Sequence, residues 1–99
     1  MRKKVVSLPP FINLVLEWFE KEGDALIGEE LILKFTAQKA HSILGVTDKR
    51  DYFICNAYPL NIEKASLFQK YVTHTIDLEK YEYFIVGVRD EDIELYNLH

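Results

Sequence analysis

The chain predicts an α+β domain, with helices packed on one face of a mixed or antiparallel sheet, and three observations lead there. Tyr81 to Val88, in which every residue but Glu82 and Gly87 is aromatic or β-branched, is the strongest strand signal in the sequence. Phe11, Leu14, Val15, Trp18 and Phe19 recur at helical spacing, with Glu17, Glu20 and Lys21 on the opposite side. The resulting order, β-α-α-β-α-β-β, sets helices between early strands and closes on a C-terminal β-hairpin. With 99 residues, 48% of them apolar and 13% aromatic, residues 1–99 make one ordered domain with one core.

Taken in order, Lys4 to Leu8 reads as a short strand carrying β-branched Val5 and Val6, and Pro9 stops it. Pro10 suits the first turn of the helix that follows, and Gly23 suits its C-cap. Ile12 and Leu16 widen the apolar arc beyond a stripe, which makes this helix either central to the core or a carrier of a second face against a partner; the central placement is favoured, with Trp18 in the core beneath the sheet. From Gly28, the run Glu29 to Phe35 fits helix or strand; the two glutamates favour a helix N-terminus. Thr36 is positioned to cap a helix over Ala37 to Leu44, closed by Gly45.

Tyr52 to Tyr58 reads as a strand ended by Pro59, one face carrying Phe53, Cys55 and Ala57. Asn61 is positioned to cap a helix over about Ile62 to Val72, with Leu67, Phe68, Tyr71 and Val72 facing the core. The closing hairpin pairs Tyr81–Val88 with Ile93–Leu98 across the acidic tip Arg89-Asp90-Glu91-Asp92, which lacks the glycine of a two-residue primed turn.

Charge limits the partners. The net charge is −4, with 8 basic against 7 acidic side chains in residues 1–50 and 4 against 9 in residues 51–99. The second half repels a phosphate backbone, so any nucleic-acid contact falls to the first half, whose one basic cluster is Arg2, Lys3 and Lys4. One cysteine excludes an internal disulfide framework. No signal peptide and no membrane-length apolar run is visible, which predicts a soluble protein made inside a cell.

Few residues carry recognisable chemistry. His41, Cys55 and His74 lack the close spacing of a metal site or a nucleophile-base pair, so Cys55 is read as a buried structural thiol and the histidines as boundary residues. Asp90, Glu91, Asp92 and Glu94 lack the spaced ligands and central glycine of a calcium loop. No catalytic, cofactor-binding or metal-binding residue is assigned. All six tyrosines fall in the second half, where strand faces offer an aromatic interaction patch.

Three resemblances add to this reading. Val15 to Leu26 followed by Lys39-Ala40 resembles the first half of a biotin- or lipoyl-carrier domain, which implies Lys39 as the modified lysine; Gln38 departs from that pattern. Residues 10–58 resemble a winged helix-turn-helix unit, with Ala37 to Leu44 as reading helix, Gln38, Lys39 and His41 facing the major groove, and Tyr52 to Tyr58 starting a wing. Leu8 to Asn13 with Tyr83 to Gly87 resembles short proteins of filamentous viruses of hyperthermophilic archaea. This last likeness agrees with the plentiful charge and sparse Asn, Gln, Cys and Met, and implies a thermostable protein. The expectation is a non-enzymatic, viral interaction protein in the host cytoplasm or on the virion, binding a host or viral protein. The alternative is a winged-helix-like DNA-binding regulator using residues 10–58.

Overall fold

The computed structural model describes residues 9–96. Four strands and two α-helices follow one another: β1 (Phe11–Glu20), β2 (Leu26–Thr36), α1 (Ala37–Leu44), β3 (Tyr58–Pro59), α2 (Ile62–Phe68) and β4 (Tyr81–Val88). Three 3-10 segments, Lys49–Asp51, Gln69–Tyr71 and Asp90–Tyr96, punctuate them. The strands form one sheet in the order β2-β1-β4-β3, antiparallel throughout. The α+β class is thus established, and the strand candidate at Lys4–Leu8 lies outside the described residues.

The largest correction falls on residues 10–22, which read as a helix and fold as the central strand of the sheet. The physical reason is that β1 is covered on both faces. Ile12, Leu14 and Leu16 are buried on one side and Val15 on the other. A doubly covered strand is a near-continuous apolar run, and such a run also satisfies helical spacing. Gly23 accordingly caps no helix. It takes the turn to β2 at φ 95°, followed by Asp24 at φ 56°, and the Glu20 amide donates to the Ala25 carbonyl across the turn at 2.9 Å. The ambiguous run Glu29–Phe35 resolves as strand β2.

The predicted helix Ala37–Leu44 is present, ended by Gly45 in the left-handed region at φ 72°. Asn61 caps α2 by accepting from the Lys64 amide at 2.9 Å, and the 3-10 turn Gln69–Tyr71 carries that helix to nearly its predicted end. Phe68 is buried there as expected, but Leu67 is exposed. The predicted strand Tyr52–Tyr58 is a looped segment, and only Tyr58–Pro59 pairs with β4. Tyr81–Val88 is a strand to the residue. Its hairpin partner is not formed among the described residues: Asp90–Tyr96 coils into 3-10 turns, started by the Asp92 amide donating to the Arg89 carbonyl at 2.9 Å.

The two sheet faces differ. Register places Ile12, Leu14, Leu16 and Trp18 of β1, Ile32 and Phe35 of β2, and Tyr83 and Ile85 of β4 on one face, where Ala40, Leu44, Ala65 and Phe68 of the helices close the core. Asn13, Val15, Glu17 and Phe19 point to the second face. Asp90–Tyr96 lies alongside β2 there, and Val15 is fully buried.

Candidate functional site

On the core face, the last rows of the sheet set Gly28, Trp18 and Tyr83 side by side on β2, β1 and β4. Gly28 is where the indole crosses the sheet; a Cβ there would run into the ring. His74 stacks flat on the same indole, with ring centroids 3.8 Å apart and planes 10° off parallel. Its Nε2 lies 2.7 Å from the Tyr83 hydroxyl, which also accepts from the Asp77 amide at 2.9 Å. Glu30 of β2 anchors the segment by accepting from the amides of Thr73 at 2.7 Å and His74 at 3.0 Å. Burial holds His74 below the ordinary histidine pKa, against the opposing pull of Glu30, and burial likewise raises Tyr83. This arrangement locks a loop onto the sheet.

A second polar centre orders residues 51–58. Asp51, the one buried charged residue among those described, accepts from the Cys55 amide at 2.6 Å, the Tyr58 hydroxyl at 2.6 Å and Asn56 Nδ2 at 3.1 Å. Burial raises its carboxyl, but those hydrogen bonds together outweigh burial and leave the pKa lowered. Inside the loop, Ile54 is fully buried at φ 58°, a strained backbone for a β-branched residue. Its carbonyl accepts from the Gly87 amide at 2.6 Å. The neighbouring Phe53 carbonyl lies so near Gly87 that a Cβ there would collide with it.

On the second face, Asp90–Tyr96 lies alongside β2, and its Tyr96 reaches toward the β1–β2 turn as far as Glu17 and Glu29: burial raises the pKa of the tyrosine, and the Glu29 and Glu17 carboxylates raise it further. There, one row reads Glu29-Glu17-Phe84-Pro59 and the next Leu26-Phe19-Glu82. Phe19 and Phe84 meet edge to face at 5.7 Å, and Leu26 is 48% exposed. Burial raises the pKa of Glu17, and the Glu29 carboxylate opposite raises it further. No ion pair among the described residues involves Glu17, Glu29 or Glu82.

The structure redistributes the residues that drew attention in the sequence. Cys55 is exposed rather than buried, because its segment loops out instead of pairing in the sheet. It lines a cleft of about 420 Å³ with Phe11, Phe53 and Val88, and Arg89 at the rim is tied to Asp92 at 2.9 Å. His41 sits at the boundary and donates from Nε2 to the Tyr52 carbonyl at 2.6 Å. His41, Cys55 and His74 have separate surroundings, and no described group of three or more His, Cys, Asp or Glu is placed to hold a metal ion. Asp90–Glu94 lies in the 3-10 segment instead of at a hairpin tip.

Lys39 lies in the first turn of α1 and donates to the Tyr71 hydroxyl at 3.1 Å, not at the turn between strands where a carrier-domain lysine sits. The helix-turn-helix geometry is not formed, since strands β1 and β2 occupy its first two segments and Tyr52–Ala57 forms no wing strand. Sequence reasoning missed the Glu17–Glu29 pair and the Trp18–His74 stack. Both depend on strand register, which a helical reading of residues 10–22 hides.

The fold and these surfaces define a small α+β domain built on a four-stranded antiparallel sheet, with one face forming the core and the Asp90–Tyr96 segment lying on the other. Residues 13–86 match the domain of unknown function DUF7683, and the chain belongs to that family. The match runs from β1 through β4 and so takes in the whole sheet. No curated protein matches the chain. No helix among the described residues is long and apolar enough to cross a membrane.

Proposed function

We propose that this chain is a non-enzymatic interaction protein that docks a partner protein on the second sheet face, around Phe19 and Phe84. The observation that carries the reading is the Phe19–Phe84 pair, which stands on that face flanked by Glu17, Glu29 and Glu82 and extended by exposed Leu26. Apolar side chains clustered within a polar margin are what a protein interface presents to its partner. Carboxylates opposite one another in a ladder repel and oppose folding.

A viral origin, with a host or viral protein as partner in the host cytoplasm or on the virion, is the biological setting proposed for this docking. The test is a photo-crosslinking residue placed at Phe84 in cells of the native source, with Glu63 on α2 as the control position. One partner captured from position 84 and absent from position 63 is the expected result. Equal capture from both positions, or capture from position 63 alone, would remove the second face from consideration.

A further inference from the structure

We infer that residues 72–78 form a pH-sensitive strap over the end of the core face, held closed by neutral His74 and opening more readily once that ring takes up a proton. The half-buried row of this segment is Val72, His74, Ile76 and Leu78, so a titratable ring stands in a row that is otherwise apolar and packed against the core. Opening uncovers the flat face of the Trp18 indole beside Tyr83. The strap lies on the core face, away from Phe19 and Phe84, and the inference does not rest on docking there.

Side chains make the attachment. Among the described residues, residues 73–76 form no backbone-to-backbone hydrogen bond. Glu30 of β2 accepts from the Thr73 and His74 amides and from the Thr73 hydroxyl, while Gln69 donates to the His74 carbonyl at 2.8 Å and accepts from the Ile76 amide at 2.8 Å. A segment held in this way opens at lower cost than a strand bonded along its backbone.

The hydrogen bonds at Tyr83 fix the protonation state of the latch. Its oxygen accepts from the Asp77 amide at 2.9 Å, which leaves the hydroxyl proton to donate to His74 Nε2 at 2.7 Å. Nε2 is then the bare, accepting nitrogen of a neutral imidazole. A protonated ring turns a second donor toward the same hydroxyl, whose proton loses its acceptor while its oxygen must take two donors at once.

The groups facing the ring pull both ways. From β2 the Glu30 carboxylate favours the cation, and so does the indole face of Trp18 on β1. From β4 come only the rings of Tyr81 and Tyr83. Within the strap, Asp77 turns its amide to Tyr83, and its carboxylate accepts from the Glu79 amide at 3.1 Å. Burial outweighs the pull of Glu30 and holds the ring below its ordinary value of 6.5. The closed strap therefore binds the proton less tightly than the open one, so opening gains by up to about tenfold per pH unit below that value.

The test is hydrogen exchange of the full chain, read amide by amide by NMR from about pH 7.5 to about pH 5 and expressed as protection relative to an unstructured chain. The amides of Thr73, His74, Ile76 and Asp77 are expected to lose about three- to tenfold in protection, while those of β1 and β4 keep theirs. The loss is expected to set in near 6.5 and to level off where the His74 ring itself titrates, which a parallel NMR titration of the ring locates. In H74F, which keeps a flat ring against the indole but carries no titrating nitrogen, the pH dependence is expected to vanish. If H74F leaves the strap open at every pH, the onset and plateau in the unsubstituted chain decide the matter.

Each of three results overturns the inference. Strap protection that does not change with pH removes the switch. A loss that persists in H74F, or that continues below the ring's own midpoint, hands the trigger to the carboxylate of Glu30 or Asp77. A loss shared equally by β1 and β4 is unfolding of the whole domain and leaves no separate strap.

Discussion

At the scale of single residues, Glu17 and Asp51 show how differently two carboxylates fare in the same fold. Asp51 is buried yet stays ionised because three donors converge on it. Asp51→Asn keeps the shape but leaves a single acceptor oxygen and turns an amide NH2 toward donors that the second carboxylate oxygen had accepted from, and should cost about 1.5–3 kcal/mol by urea denaturation. Asp51→Ala should cost more, since it leaves the Tyr58 hydroxyl and the Cys55 amide without an acceptor. A loss below about 0.5 kcal/mol for Asp51→Ala would mean that the 51–58 loop does not depend on this carboxylate.

Glu17 has the opposite sign. Its folded pKa is raised above 4.5, so the native state holds a proton more tightly than the unfolded chain does. Stability therefore falls as pH rises from about the unfolded value through the raised folded one. Glu17→Gln should stabilise the protein by about 0.5–1 kcal/mol at pH 7, and the difference should shrink to nothing below the unfolded pKa. Thermal melts of both proteins at pH 7 and pH 4 check the sign; a variant less stable at pH 7 would show that the carboxylate has a favourable partner.

At the scale of elements, two close approaches hold loops and strands in place. Gly28 gives room to the Trp18 indole, on which His74 then stacks. Gly28→Ala and Trp18→Ala should each destabilise, the latter by about 2–4 kcal/mol. The double variant should cost less than their sum, because the added methyl has nothing to strike once the indole is gone. Additive losses in a double-mutant cycle would refute the proposed contact. Gly87 admits the carbonyls of Phe53 and Ile54 to the end of β4. Gly87→Ala should displace the 51–58 loop and weaken protection of the Gly87 amide in hydrogen exchange, while the amides of α1 stay protected.

At the scale of the whole molecule, charge and titration set the behaviour. His74 has a folded pKa below its ordinary value of 6.5, so its contribution is full above that value and falls away as pH drops through it. Below the ordinary carboxylate value of 3.8, Asp51 adds a second loss as its hydrogen-bonded anion is protonated. The stability profile should therefore decline on the acid side, and His74→Phe should flatten the part that sets in as pH drops below 6.5. With a net charge of −4, the chain should bind duplex DNA only weakly, with affinity collapsing as salt rises. Sub-micromolar, sequence-selective binding at about 150 mM salt would overturn the interaction-protein reading.

The sequence by itself determined the α+β class, the helix Ala37–Leu44 with its Gly45 stop, the Asn61 cap and the strand Tyr81–Val88. Each of those is a local signal: a cap, a C-terminal glycine or a run rich in aromatic and β-branched residues is decided within a few residues. Tertiary structure decided the rest. Pairing on two sides turned Phe11–Glu20 from an apparent helix into the central strand, since an apolar run covered on both faces has no periodicity that separates the two states. Three donors brought to Asp51 replaced an apparent strand by a loop and left Cys55 in solvent, although the alternating Phe53, Cys55 and Ala57 pointed to a strand face. The Glu17–Glu29 pair likewise exists only in the register of β1 against β2, which no stretch of either strand encodes alone.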